Sequence, residues 1–138
     1  MFDHCLYFNT AALARQLERE WAVAFRPFDL TPPQAFMLRM VLDQPGLLQH
    51  EIADRLTISR PTATRALDGL EAKGLVERRA SEHDGRELAI HPRPKATAMK
   101  TALNDASGAV TARLKRLLGA AEFNETVSKV RGVRSALR

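Results

Sequence analysis

Cysteine is nearly absent from this sequence: Cys5 is the only one in 138 residues. That excludes an internal disulfide and fits a reducing compartment. No apolar run is long enough to span a bilayer, and Asp3 and His4 precede any apolar stretch, which argues against a signal peptide. A protein of the cytoplasm, away from any membrane, is expected. The four histidines, His4, His50, His83 and His91, are scattered without metal-ligand spacing. A Gly-rich phosphate loop, a His-Glu-x-x-His stretch and a placeable Ser/His/Asp set are all missing. No enzyme, cofactor or metal site is expected. Nor is there an internal repeat or a low-complexity segment. The length suits one domain with a modest core.

Carboxylates are missing from one stretch in particular, Ser59-Arg60-Pro61-Thr62-Ala63-Thr64-Arg65. Ser59 is a favoured helix N-cap, and Pro61 falls in the first turn, where a missing N–H costs nothing. With Ala63 facing the core, helical spacing places Leu67 and Leu70 on the same stripe. Pro61, Thr64 and Arg65 then point outward, flanked by Arg60 and Thr62. Asp68 and Glu71 appear only in the second half of the helix. Such a helix can approach a polyanion tip first.

The flanks extend this pattern. Gln49 to Leu56 reads as a short amphipathic helix with Ile52, Ala53 and Leu56 inward. Thr57 and Ile58 separate it from the Ser59 cap, which is helix-turn-helix spacing. Lys73-Gly74 supplies a left-handed stop. Val76–Arg79 and Arg86–Ile90 read as two short strands around Ser81-Glu82-His83-Asp84-Gly85, with Asp84-Gly85 a strong hairpin signal. Helix, turn, helix and hairpin make a winged helix-turn-helix in a mostly α chain.

Net charge does not identify the binding surface. The chain is +5 overall. Residues 31–91 hold eight basic and nine acidic side chains, while residues 92–138 hold ten and three. The local pattern at Arg60, Arg65, Arg78, Arg79 and Arg86 points to nucleic acid instead. The near-neutral charge of residues 31–91 leaves open a winged-helix module that binds an acidic protein partner.

The order Glu51-Ile52-Ala53-Asp54-Arg55-Leu56, Ser59-Arg60-Pro61-Thr62-Ala63-Thr64-Arg65, Leu70-Glu71-Ala72-Lys73-Gly74-Leu75-Val76-Glu77-Arg78 and Asp84-Gly85-Arg86 resembles the MarR family of bacterial transcription regulators. The chain departs from that family at Leu48, where Thr or Ser is usual, and at His91-Pro92-Arg93-Pro94-Lys95, where Leu-Thr-x-x-Gly is usual. The resemblance implies a homodimer on double-stranded DNA, with two recognition helices in successive major grooves and the wings in flanking minor grooves. The candidate DNA-binding set is Gln49, His50, Ser59, Arg60, Pro61, Thr62, Thr64, Arg65, Arg78, Arg79, Asp84 and Arg86. In it Asp84 is expected to hold the Arg86 guanidinium.

The outer helices support assembly. Residues 4 to 28 form the first long helix, capped by Asp3, with Leu6, Leu13, Leu17, Trp21 and Phe28 on one stripe and Phe8, Ala11 and Ala12 on the other side. Apolar residues on two sides call for two covers, and a second copy of the chain supplies one. Thr31-Pro32-Pro33-Gln34 starts the next helix, with Phe36, Met37, Met40 and Val41 inward. A helix from Pro94 to Leu118 carries Ala96, Met99, Leu103, Ala106, Val110, Leu114 and Leu117 as a near-heptad seam. The last helix, Glu122 to Leu137, is expected to turn Phe123, Val127, Val130 and Leu137 inward. Residues 1–30 and 92–138 thus form a dimerisation lobe, and residues 31–91 the DNA-binding lobe.

Two further features carry chemistry. The resemblance implies a cleft for a lipophilic or aromatic-acid effector, for which Trp21, Phe25, Phe36, Arg39 and Met40 are the candidate lining, with Arg39 meeting a carboxylate. The same residues at helical spacing also suit plain core. Cys5 falls in the first turn of the first helix, where the macrodipole favours a thiolate and oxidant sensing. Its alternative role is a small packing residue at the dimer interface.

Overall fold

The computed structural model describes residues 1–83 and 85–138. Its helices are α1 (Leu6–Phe25), α2 (Pro32–Asp43), α3 (Gln49–Leu56), α4 (Arg60–Ala72), α5 (Pro94–Leu118) and α6 (Ala120–Ala136), with strands β1 (Leu47–Leu48), β2 (Val76–Ala80) and β3 (Leu88–Pro92). The expected Asp84-Gly85 turn is only partly covered, because Asp84 lies outside the described residues.

Each boundary has a local cause. The N-cap of α1 is Cys5, not Asp3: its Sγ accepts from the Phe8 N–H at 3.5 Å. The helix stops at Phe25, three residues short of expectation, because the Pro27 ring cannot continue it. Arg26–Phe28 tightens into a 3-10 turn, and Asp29 follows at φ 56°. Thr31 and Gln34 form a full capping box on α2: the Gln34 N–H donates to Thr31 Oγ1 at 3.4 Å, and the Thr31 N–H to Gln34 Oε1 at 3.2 Å. At α3, Leu48 offers no acceptor, so only the reciprocal half forms, the Leu48 N–H donating to Glu51 Oε1 at 3.1 Å. The Ser59 cap forms as expected, accepting from the Thr62 N–H at 3.2 Å. At the other end of α4, Gly74 adopts φ +72°. The Leu75 N–H then reaches Leu70 O at 3.0 Å and the Gly74 N–H reaches Glu71 O at 2.9 Å, a Schellman closure.

The sheet is antiparallel with strand order β1-β3-β2. β2 and β3 match the expected hairpin, although β3 begins at Leu88 rather than Arg86. β1 was not expected: two residues are too few to show a period. It pairs because Gly46, at φ +92°, donates its N–H to Ile90 O at 2.8 Å and sets Leu47 opposite Ile90.

The core lies where α2, α4, the sheet and the first half of α5 meet. Ala63, Leu67 and Leu70 of α4, Met37, Leu38 and Val41 of α2, and Ile52, Val76, Ile90 and Leu103 are fully enclosed. Phe36, expected inward, stays 38% exposed; its ring lies edge-on to Phe25, with centroids 5.8 Å apart. The α5 seam is real but is used within the chain, with Ala96, Leu103 and Val110 buried and Leu117 69% exposed.

Outside this core the expectation for α6 fails in the single chain. None of its residues is buried, and Val127, Val130 and Leu137 are exposed, because α6 packs mainly on α5 alone. Leu6, Phe8 and Leu13 in the first half of α1 are exposed too.

Arg78 joins the wing to α4. Its Nη2 donates to Asp68 Oδ1 at 2.8 Å and to Thr64 O at 3.3 Å, and its Nη1 to Glu71 Oε1 at 3.4 Å. The arginine side chain is only 16% exposed, whereas Asp68 and Glu71 are half open to solvent, which screens the pairs. Arg78→Ala should therefore lower stability by about 1–2 kcal/mol without any DNA present. Urea unfolding at fixed protein concentration checks this, and an unchanged midpoint would contradict it.

Candidate nucleic-acid interface and inter-helix cleft

The buried stripe of α4 determines which of its side chains face out. Enclosing Ala63, Leu67 and Leu70 leaves Arg60, Pro61, Thr64 and Arg65 exposed and Thr62 half-buried. Short hydrogen bonds order this face. Ser59 Oγ donates to Thr62 Oγ1 at 2.9 Å, and Arg65 Nη2 donates to the same oxygen at 3.3 Å. Thr64 Oγ1 donates to Arg60 O at 3.0 Å and accepts from Gln49 Nε2 at 2.9 Å, which ties α3 to α4. The two arginines are thus set on a braced surface, which lowers the conformational cost of a contact.

A cleft of about 310 Å³ opens between this helix and the wing. Gln49, His50, Arg60, Arg86 and Glu87 line it, with Ala53, Ala63 and Leu88 as its apolar part. The fold thereby gathers four of the sequence-derived candidates, from α3, α4 and the wing, around one concavity. Glu87 was missed from the sequence. Its Oε1 lies 3.6 Å from His50 Nδ1, bridging the wing to α3. Nothing in the local pattern marks that pair, since the two residues lie far apart in the chain.

The remaining candidates divide. Arg79 is exposed and pairs with Glu77 beside it on β2, its Nε donating to Oε1 at 2.6 Å. Arg78 is held inside the fold by Asp68 and Glu71, so its guanidinium serves an internal tie. Arg86 is exposed and engaged in an interaction of its own. The expected support of its guanidinium by Asp84 lies outside the described residues.

The second concavity, about 480 Å³, lies between α2, α3 and α5 and is lined by Phe36, Arg39, Met40, Asp43, Gln44, Arg55, Lys100 and Asn104. Three of the five residues expected to line an effector cleft are present. The other two are not. Phe25 is fully enclosed in the core, and Trp21 sits behind Arg39, with its ring centroid 6.4 Å from that of Phe36. Long polar side chains from α3 and α5 that the sequence reading omitted take their place.

Among the described residues Arg39 has no carboxylate partner. Its Nε donates to Asn104 Oδ1 at 2.7 Å and its Nη1 to Ser107 Oγ at 2.9 Å, and the guanidinium carbon lies 5.1 Å from the Phe36 ring centre. Ser107 is buried and also accepts from Trp21 Nε1 at 3.0 Å. Desolvation lowers the Arg39 pKa from its ordinary value, as burial of a cation among neutral groups must. One hydroxyl thus connects α1, α2 and α5.

Cys5 is exposed in the single chain. Among the described residues, no group of three or more His, Cys, Asp or Glu side chains could hold a metal ion. No helix there is long and apolar enough to cross a membrane.

Comparison with known proteins agrees with this geometry. The sequence model of the MarR family matches residues 28–87, from the turn before α2 to the residue before β3. MgrA of Staphylococcus aureus, an HTH-type transcriptional regulator, is 28% identical over 137 residues, spanning 90% of this chain and 93% of that protein. YybA of Bacillus subtilis, another HTH-type transcriptional regulator, is 29% identical over 83 residues, which cover 60% of this chain and 55% of YybA. Among solved structures, the transcriptional repressor CouR bound to a 23-mer DNA duplex superposes with a TM-score of 0.88 at 26% identity, covering 96% of this chain and 94% of that one. The transcriptional regulator SlyA shares the fold, with a TM-score of 0.85 at 21% identity over 96% and 94% of the two chains. These relatives are regulators rather than enzymes. A capped, carboxylate-free helix tip beside a short antiparallel wing, within a fold common to these proteins from end to end, makes the chain a winged helix-turn-helix transcription regulator similar to those of the MarR family.

Proposed function

We propose that the chain acts as a homodimeric, sequence-specific repressor on a pseudo-palindromic operator in double-stranded DNA, in the cytoplasm, and that a small ligand releases it. The observation that carries the DNA assignment is the exposed α4 face, with Arg60 and Arg65 at its capped end and no carboxylate before Asp68. CouR and the S. aureus MepR, which share the fold, have been solved in complex with DNA. Arg65 and Arg60 contact base edges or adjacent phosphates, and Thr64 meets a thymine methyl or a phosphate. Gln49 and His50 reach the backbone from α3. Arg79 and Arg86 serve the wing, with Arg86 in a minor groove.

Selection of bound duplexes from a random library identifies the preferred site. On it, Arg65→Ala should weaken binding by about 1–3 kcal/mol and flatten sequence preference. Arg86→Ala should weaken all sequences more evenly, apart from those with a narrow A/T minor groove. Equal affinities for wild type and both variants would refute the docking.

Residues 1–30 and 92–138 supply the dimer contact. Leu6, Phe8 and Leu13 of α1, Leu117 and Leu118 of α5, and Val127, Val130 and Val133 of α6 are all exposed in the single chain. An apolar surface this extensive on three helices calls for a partner, and a two-fold dimer presents two recognition helices to one face of a duplex. Deleting residues 1–12 should cause aggregation or unfolding, because the fold and the dimer share stability. Light scattering that found a soluble folded monomer at micromolar concentration would contradict the assignment.

The ligand site is the cleft at Arg39, whose uncompensated cation suits the carboxylate of a lipophilic or aromatic acid lying over Phe36 and Met40. Such a ligand acts by favouring a spacing of the two recognition helices that no longer fits the duplex. Cys5 is a cap and a packing residue in this scheme. Cys5→Ser should therefore leave operator affinity unchanged, with or without a stoichiometric hydroperoxide. Loss of binding in oxidised wild type but not in the variant would make Cys5 the sensor instead.

A further inference from the structure

Thr64 stands in the second turn of α4, between Arg60 and Arg65, and is open to solvent. Three elements nevertheless meet on it. Its Oγ1 donates to Arg60 O of its own helix at 3.0 Å and accepts from Gln49 Nε2 of α3 at 2.9 Å. From β2, Arg78 Nη2 donates to the Thr64 carbonyl oxygen at 3.3 Å. An exposed residue on the face proposed to enter the groove is thus held from α3, from α4 and from the wing.

These bonds limit what Thr64 can offer a ligand. A hydroxyl has one proton to donate. The Arg60 carbonyl can only accept, so the Thr64 proton is committed to it, and Oγ1 is left to accept from the Gln49 amide. A phosphate oxygen also only accepts, and a hydroxyl whose proton is engaged has nothing to give it. The lone pair that remains on Oγ1 is one that a serine would offer equally. What threonine adds is the γ-methyl, which has no polar duty. An oxygen bonded to the carbonyl four residues back also restricts χ1 to few rotamers, so the methyl is presented at small entropic cost.

We propose that Thr64 reads the C5-methyl group of a thymine in the major groove, and that Gln49 is a positioning residue that holds it there. This rests on the DNA-binding reading given above and assigns Thr64 to a base rather than to a phosphate. The thymine methyl is the apolar group that base pairs present in the major groove. It matches a side chain whose hydroxyl is turned to its own helix and to α3. Arg60 and Arg65, on either side, supply the charge that Thr64 does not. Gln49 spends one amide N–H on Thr64 and keeps the second for the DNA backbone. Burying one methyl group is worth about fourfold in affinity, and a two-fold dimer makes the contact once in each half-site.

The test uses the full-length chain and the selected duplex, with single thymines replaced by deoxyuridine, which removes the C5-methyl and nothing else. Wild type should lose about fourfold in affinity at one thymine of each half-site. Thr64→Ser keeps the hydroxyl and loses the methyl, so at that position it should bind the thymine and deoxyuridine duplexes equally. Thr64→Val keeps a methyl and loses the hydroxyl, so it should retain the discrimination. Gln49→Ala should shrink the thymine-to-deoxyuridine ratio, a quantity that loss of a backbone contact leaves alone. Each protein is compared with itself on two duplexes, so a difference in folded fraction cancels. A deoxyuridine penalty that is the same in wild type and Thr64→Ser at every thymine would overturn the proposal. Uniform weakening of all duplexes in Thr64→Val, with wild-type affinity and discrimination in Thr64→Ser, marks a phosphate contact and would overturn it too. An unchanged ratio in Gln49→Ala would refute the positioning role of Gln49. If wild type binds no duplex, the DNA-binding reading itself fails, an outcome distinct from binding that does not depend on residue 64.

Discussion

Burial of one stripe of α4 against α2 is the constraint from which the rest of the interface follows. Ala63, Leu67 and Leu70 are fully enclosed, and removing such side chains from water is the largest favourable contribution available to a chain of this size. Rotating α4 to expose them would forfeit several kcal/mol. The outward direction of Arg60, Thr64 and Arg65 is therefore set by the core rather than by contacts of their own. A side chain of Cβ size at Gly69 would come within 2.5 Å of Gln34 Nε2, so the glycine lets α2 and α4 approach closely at this point. Gln34 is also the residue that closes the α2 capping box, so one amide serves both the start of α2 and its packing on α4.

Polar contacts then brace what the core has oriented. Gln49 links α3 to Thr64, Arg78 links the wing to the second half of α4, and His50 approaches Glu87 of the wing. None of these surface pairs contributes much stability singly, since exposed ions are well solvated. Their effect is to restrict motion among three elements that must act on one duplex together. Arg78 pairs with both acidic residues of α4, Asp68 and Glu71, and so offsets one of their two negative charges beside a phosphate backbone.

The Arg39, Asn104, Ser107 and Trp21 cluster is a different kind of joint. It places a desolvated cation among neutral acceptors where α2, of the winged motif, meets α1 and α5. A half-satisfied charge is sensitive to any anion that enters the neighbouring cleft, because the low local dielectric strengthens each contact.

The helices, the caps of α2 and α4 and the winged order of elements were legible in the sequence, because each depends on neighbours within a few positions; the cap of α1, expected at Asp3 and found at Cys5, was not. Ser59 caps α4, Gly74 ends it, Thr31 and Gln34 start α2, and the period of Ala63, Leu67 and Leu70 names the buried face. The exposed arginines of α4 followed from the same period. Contacts between distant segments were not legible. The two-residue strand β1 exists only because β3 is there to pair with it. Glu87 meets His50, Arg78 turns to Asp68, Phe25 disappears into the core and Arg134 reaches Thr57 for the same reason. Local sequence determines which face of an element is apolar and where the element begins and ends. Which partner a polar side chain finds depends on the packing of whole elements, and only the tertiary structure decides it.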